Sequence, residues 1–295
     1  MKKKSDIKNY KLSELIYWFK TPQKYWLNKK NISPKEIFIH HPDEESVSNL
    51  QKSQLITKII QKLEIDNDNI IDDLKNLNIK EQLFENGIIM PKNSIFTKEK
   101  EIKELLSSLS ASLSQHNKIN RIYVKSNANK EEYLIADDTV IELIHAKLSL
   151  SRLTEAWIKS LFISSLKKNI KKTKVIFRTE NHYKSQILQS PGVIKSNIIL
   201  EEYIYLFKNY SEKCLPLPPE STYKYVEAKI KSKNEKKAFS DRWIGNKTFS
   251  KGERDNIEMR MCFGDKKVPD FFFGNSNFDK LSFKLYGPLI EALKK

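Results

Sequence analysis

The chain has 295 residues, 53 of them lysine or arginine against 37 acidic, for a net charge of +16, with 39% hydrophobic and 11% aromatic residues. That length suits one large domain or two ordinary ones, and the aromatic content excludes a disordered chain. No apolar run reaches the ~20 residues of a bilayer-crossing helix, and Leu15-Ile16-Tyr17-Trp18-Phe19, after the basic start, is too short for a signal peptide. A soluble cytoplasmic protein is the expectation.

The first element is a helix. Leu12, Leu15, Ile16 and Phe19 share one helical face, and Pro22 stops it near Thr21. Tyr25-Trp26-Leu27 follows as a short apolar cluster. Ser48 and Gln51 fit a capping box for a helix through Leu55, Ile59 and Leu63. Residues 87–93 form a turn, and Ile102, Leu105, Leu106, Leu109 and Leu113 mark a further amphipathic helix.

The pattern then changes period. Arg121-Ile122-Tyr123-Val124 and Tyr133-Leu134-Ile135 are strands around a turn at Asn127-Ala128-Asn129, and Val140 to Ile144 is a third β-prone run. Leu153, Trp157, Leu161 and Phe162 line a helix, and Val175-Ile176-Phe177 is a fourth strand. Helices over 196–210 and 221–240 flank Leu215-Pro216-Leu217-Pro218-Pro219. Phe278, Leu281, Leu285, Leu289 and Leu293 form a last helical stripe around Pro288. This hairpin–strand–helix–strand order predicts an α/β (α+β) core with extensive helical decoration. One domain is expected over 1–295, mainly helical through 115, with the α/β core and closing helices from 116.

Charge and motifs narrow the chemistry. An excess of +16 suits a polyanion such as nucleic acid. Only six basic residues are arginine, so a diffuse lysine excess from codon usage gives the same charge without a site. Neither GxxxxGK[ST] nor GxGxxG occurs among the seven glycines, which excludes a phosphate-cradling loop and an ATP-driven motor. Cys214 and Cys262 stand far apart with no CxxC and are read as small apolar fillers, neither a disulfide framework nor a zinc site. The run His40-His41-Pro42-Asp43-Glu44-Glu45 is a solvated loop rather than a metal site, since adjacent residues on an extended chain point apart. Asp66, Asp68, Asp72 and Asp73 lack the glycine and closing glutamate of a calcium loop and read as an acidic helix start.

Several landmarks together resemble the carboxy-terminal domain of the RecC family, the gamma subunit of exodeoxyribonuclease V. They are Leu12-Ser13-Glu14-Leu15-Ile16-Tyr17-Trp18-Phe19-Lys20-Thr21-Pro22 with Tyr25-Trp26-Leu27, then Gly87-Ile88-Ile89-Met90-Pro91, and then Glu155-Ala156-Trp157-Ile158-Lys159-Ser160-Leu161. Leu215-Pro216-Leu217-Pro218-Pro219, Trp243-Ile244-Gly245 and Leu285-Tyr286-Gly287-Pro288-Leu289 follow in the family order. No piece is specific alone; six in order span almost the whole chain. The helicase-like regions that precede this domain in the family are absent, so on this resemblance Met1 begins a fragment of a longer subunit.

The resemblance implies a restriction-endonuclease and lambda-exonuclease-like fold that has lost its catalytic acids. Active relatives carry G-x-I-D-R-I, whose aspartate binds magnesium, and a later D-x-K. The best matches here are Asn117-Lys118-Ile119-Asn120-Arg121-Ile122 and His145-Ala146-Lys147. Asn120 offers one neutral oxygen and His145 a nitrogen, where magnesium needs anionic oxygens. With Lys147 they form a degenerate site, unless Asn120 and His145 are ordinary strand residues in a different register. The implied role is a non-catalytic scaffold and DNA-guiding domain of a RecB–RecC–RecD-type helicase–nuclease in double-strand-break repair. RecB-like and RecD-like subunits are its partners, double-stranded ends and separated strands its ligands, and magnesium and ATP are used by the partner subunits. The alternative is an active magnesium-dependent nuclease using Glu227 and Lys229 of Glu227-Ala228-Lys229, with Asp137 or Asp138 as the earlier acid. A third reading is a basic nucleic-acid-binding module outside any such complex. Tyr17, Trp18, Phe19, Tyr25 and Trp26 fall within ten positions; core packing is the expected fate of any single one, but a scaffold also predicts a contiguous exposed apolar patch above a few hundred Å² beside the first helix or the sheet edge.

Overall fold

The computed structural model describes residues 10–33, 49–62, 77–85, 92–116, 118–125, 130–246, 251–264, 269–274 and 277–293. The His40 to Glu45 run, Ser48, Leu63, the acidic 66–73 segment, 87–91 and the Asn127-Ala128-Asn129 turn lie outside them. The fold is α+β, a five-stranded mixed sheet with helices on both faces.

The strands are β1 (Asn120–Lys125), β2 (Lys130–Ala136), β3 (Thr139–Ile144), β4 (Lys172–Arg178) and β5 (Tyr183–Gln189), hydrogen-bonded in that order. β1, β2 and β3 form an antiparallel meander; β4 runs parallel to β3, and β5 antiparallel to β4. A parallel neighbour requires a crossover, and the 17-residue helix over Leu150–Leu166 supplies it. Ser149 caps its start by accepting from the backbone N–H of Arg152.

Alternation along the strands divides two cores. Tyr133 and Ile135 of β2, Val140 of β3 and Val175 of β4 join the larger core, while Ala136, Ile141 and Ile176, each one residue away, join the smaller. In chain order the helices are α1 (Leu12–Lys20), α2 (Pro22–Lys29), α3 (Asn49–Lys62), α4 (Ile79–Glu85), α5 (Lys92–Leu113), α6 (Leu150–Leu166), α7 (Val193–Tyr210), α8 (Pro219–Ile230), α9 (Glu235–Ile244), α10 (Ile257–Phe263), α11 (Pro269–Phe273) and α12 (Phe278–Leu293). Helices α3, α4 and α5 cover the smaller core; α1, α6, α7 and α12 are among those on the larger. In the larger core the Trp157 indole N–H donates to the Tyr203 hydroxyl at 3.1 Å, which donates to the Leu285 carbonyl at 3.0 Å. The indole N–H and the hydroxyl of this relay are each satisfied by the next group.

The first helix ends as its proline dictates, but Pro22 then opens a second helix at its first position, where its missing N–H costs nothing. The aromatic cluster is therefore helical. Gln23 donates its side-chain amide to the carbonyls of Leu215 (2.8 Å) and Leu217 (3.2 Å), which fixes the proline-rich segment against α2. Two other expectations are corrected. The helix expected over 221–240 is split, because Ser232 takes a left-handed φ of 53° and Asn234 caps a new helix through the backbone N–H of Lys237. Strand β5 was not foreseen, since only Tyr183, Ile187 and Leu188 of its seven residues are apolar and their burial does not alternate.

Of the aromatics around the first helix that were expected to contribute to an exposed apolar patch, most are drawn into the core. Trp18 is 1% exposed and Phe19 3%, Tyr25 is buried and Trp26 half-buried; only Tyr17 reaches solvent, at 37%. Helix α1 lies against α6 and α7, so its rings stack in the core, Trp18 edge-on to Phe207 at 5.6 Å. Exposed apolar surface occurs instead on α7, where Ile194 (79%), Ile198 (59%) and Tyr205 (61%) share one face. Among the described residues no helix is long and apolar enough to cross a membrane.

Candidate functional site

A cleft of about 680 Å³ opens beyond the carboxyl ends of the parallel pair β3 and β4. Side chains of open α/β sheets converge there, because strands end and helices begin at one edge. Its walls are the end of β3 with Ala146 and Lys147, the first half of α6, the β4–β5 connection, and Ser53 and Thr57 of α3.

Strand parity sorts the lining into two groups. On the α6 side, Lys159 donates to Glu142 of β3 at 2.9 Å and lies 3.4 Å from Glu155, one turn back along α6. Lys20 at the end of α1 reaches the other oxygen of Glu155 at 2.6 Å. Glu131 of β2 belongs to this field: burial pushes its carboxyl up, and repulsion from Glu142 and Glu155 adds to that against the attraction of Lys159. Burial opposes the charges of Lys159 and Glu155, but their ion pairs outweigh it. Lys159 is held above its ordinary value by Glu142 and Glu155, and Glu155 below its own by Lys20 and Lys159. Glu142 and Glu155 are thus neutralised by the protein's own ammonium groups.

On the α3 side, His145 Nδ1 lies 2.9 Å from the Tyr183 hydroxyl, and the His145 carbonyl accepts from Ser53 Oγ. Arg178, almost fully buried at the end of β4, stands close enough to act on His145. Burial and this guanidinium push the imidazole down to about 4. Lys147 and Glu180 pair at 2.8 Å on the exposed rim, a contact worth little in water, and Arg152 Nη1 donates to the Lys147 carbonyl at 2.8 Å.

His145 therefore stays neutral at pH 7. Its folded pKa is depressed, so its stabilising contribution is present above the ordinary value of 6.5 and is lost as pH falls through about 4. Proton NMR of the imidazole should show no titration between pH 5.5 and 8, whereas a free histidine titrates near 6.5. A midpoint near 6.5 would mean that the ring is solvated and Arg178 distant.

The structure brings His145 and Lys147 to one cleft but leaves Asn120 elsewhere. Asn120 stands opposite Ile135, and Ile135 opposite Val140, so Asn120 shares a row with the start of β3. His145 lies five residues further along, roughly 16 Å away in the strand direction. The expected triad of Asn120, His145 and Lys147 is not assembled. The strand beside β3 is β2, and its end nearest the cleft carries Glu131. Sequence reasoning missed Glu131, Glu142, Glu155, Lys159 and Arg178; the available signal was a glutamate inside the apolar run Val140-Ile141-Glu142-Leu143-Ile144, and Glu155 with Lys159 four apart on one helix.

The alternative pair sits on α8. Glu227 is engaged by Lys224 (2.7 Å) and Lys231 (2.8 Å), and Lys229 by Asp279 (2.7 Å). Two residues apart on a helix, they point to different sides, so they cannot share a metal as they would on a strand. Asp137 and Asp138 lie in the β2–β3 turn, at the end of β3 away from the cleft, with Asp138 paired to Lys171 at 3.1 Å.

Among the described residues no group of three or more histidine, cysteine, aspartate or glutamate side chains is arranged to hold a metal ion. The cleft does not fit magnesium as it stands, since Glu142 and Glu155 are both tied to Lys159 and the facing wall presents imidazole and guanidinium nitrogen. No family model matches the chain, and no curated protein matches it.

Proposed function

We propose that this chain is a non-catalytic scaffold and DNA-guiding domain of a RecB–RecC–RecD-type helicase–nuclease that processes double-strand breaks. The observation that carries this reading is the neutralised carboxylate group of the cleft. Metal-assisted hydrolysis of a phosphodiester needs carboxylate oxygens free to hold the ion and a water beside it. Here Lys159 lies between Glu142 and Glu155, Lys20 takes the second oxygen of Glu155, and buried Arg178 stands beside His145 on the opposite wall. A cleft with its own cations can hold a phosphate backbone without cutting it. Partner subunits, RecB-like and RecD-like, then supply the motors, ATP turnover and the working nuclease with its magnesium. The exposed apolar face of α7 offers a surface for those partners, since isolated monomers seldom carry such a stripe unused.

The test is DNA handling by the whole chain. With linear duplex and Mg²⁺ or Mn²⁺, no cleavage is expected. Binding should be sequence-tolerant and fall with salt at a slope near −0.9 per neutralised phosphate on duplex, about −0.7 on single strands. Robust cleavage abolished by Glu142→Ala or Glu227→Ala would overturn the proposal in favour of an active nuclease, and tight, salt-insensitive or sequence-selective binding would remove the guiding role.

A further inference from the structure

The two cysteines of the chain, read from sequence as unrelated apolar fillers, come together. Cys214 lies in the loop between α7 and α8 and Cys262 on α10; both are half-buried, and their thiols stand close enough to act on each other. Helix α2 brings them there. Gln23 holds the carbonyls of Leu215 and Leu217, next to Cys214, and Lys24 reaches Glu258 at 3.6 Å, one turn before Cys262 on α10. Both cysteine side chains also rest on the larger core. The loop and α10 are thus fastened to successive residues of one helix, which holds the two cysteines on the same side of the larger core.

We infer that Cys214 and Cys262 form a reversible intramolecular disulfide on exposure to a low-molecular-weight disulfide such as oxidised glutathione. The roles of the two sulfurs differ. The neighbouring Cys262 thiol lowers the pKa of Cys214 against the effect of burial, while Cys214, burial and Glu258 raise that of Cys262. Cys214 is therefore the first nucleophile. Its thiolate attacks one sulfur of the glutathione disulfide, forming a mixed disulfide and releasing a glutathione thiolate that takes up the proton Cys214 lost. Cys262 then gives up its proton and attacks Cys214 Sγ, and the second glutathione leaves as a thiol. Two protein thiols are oxidised, one glutathione disulfide is reduced to two thiols, and no proton is left over.

The native full chain, incubated with oxidised glutathione and then alkylated and digested, should yield one Cys214–Cys262 linked peptide in the monomer. Dithiothreitol should restore two free thiols. The linked form should melt higher by roughly 5 °C, because the bond closes a long loop of the unfolded chain. Cys214→Ser and Cys262→Ser, both near-isosteric, should each stop at a single glutathione adduct that does not resolve. Stable adducts on both cysteines of the native chain, unreactive thiols, or a link formed only between chains or only after denaturation would each overturn the inference.

Discussion

Glu253→Ala is expected to destabilise the chain by on the order of 3 kcal/mol, since it removes the acceptor of three hydrogen bonds from a helix start at once. Glu253 is wholly buried in the short turn after Gly252. Its carboxylate accepts from the backbone N–H of Glu220 (3.0 Å), the backbone N–H of Ser221 (2.7 Å) and the Ser221 hydroxyl (2.6 Å). Those are the open donors at the start of α8, which Pro218 and Pro219 cannot cap with a side chain. Burial pushes the carboxyl up to about 7, against the pull of Ser221 and of Arg242. Because the folded value lies above the ordinary 4.5, the protonated group's stabilisation is fully present below pH 4.5 and is lost as pH rises through 7. Denaturation of wild type and Glu253→Gln at several pH values isolates this, because the amide does not titrate. The wild-type advantage should shrink by up to about 3 kcal/mol between pH 4.5 and about 8. A constant difference would mean that Glu253 is ionised throughout and acts only as a cap.

Gly252→Ala is expected to cost about as much, although it adds one methyl group. A Cβ there would lie 2.4 Å from the Trp243 carbonyl oxygen and 2.5 Å from the carbonyl carbon and oxygen of Ile244. Those atoms are backbone at the end of α9, so no side chain can turn aside; the turn must withdraw, and Glu253 with it. A loss of about 3 kcal/mol, or roughly 6 °C in Tm, is the expected scale. Gly274→Ala is the control: its nearest contact would be an ordinary 3.5 Å, and its Tm should barely move. Equal melting of the two variants would show that the 252–255 turn is free to shift.

Where burial follows one residue pattern, the sequence was readable. The stripe Leu153, Trp157, Leu161 and the alternation through Tyr133 and Ile135 led directly to α6 and β2. Reading failed where a single backbone angle or a distant register decides. Nothing in Lys231-Ser232-Lys233 announces a left-handed serine, and the polar face of β5 hides a strand that only β4 makes regular. The site was legible in part for the same reason. His145 and Lys147 sit on one strand end and travel together; Asn120 is joined to them only by a motif match at the start of β1, and the register through β2 sets it beside the far end of β3. The Glu142–Lys159 pair joins a strand to the next helix, and Arg178 arrives from another strand, so their meeting depends on tertiary geometry that spacing does not encode.

The bond from Gln23 to the Leu215 carbonyl spans 192 positions. During synthesis the amino-terminal helices leave the ribosome long before the surface that covers them exists. At about 5 to 20 residues per second, the wait for Leu215 is roughly 10 to 40 s. Throughout it Trp18, Phe19 and Tyr25, all buried in the finished protein, have neither Phe207 nor Tyr203 to pack on. Translation of this chain therefore exposes a sticky aromatic hairpin early and for long, and its yield in a cell depends on what shelters those rings until α7 emerges.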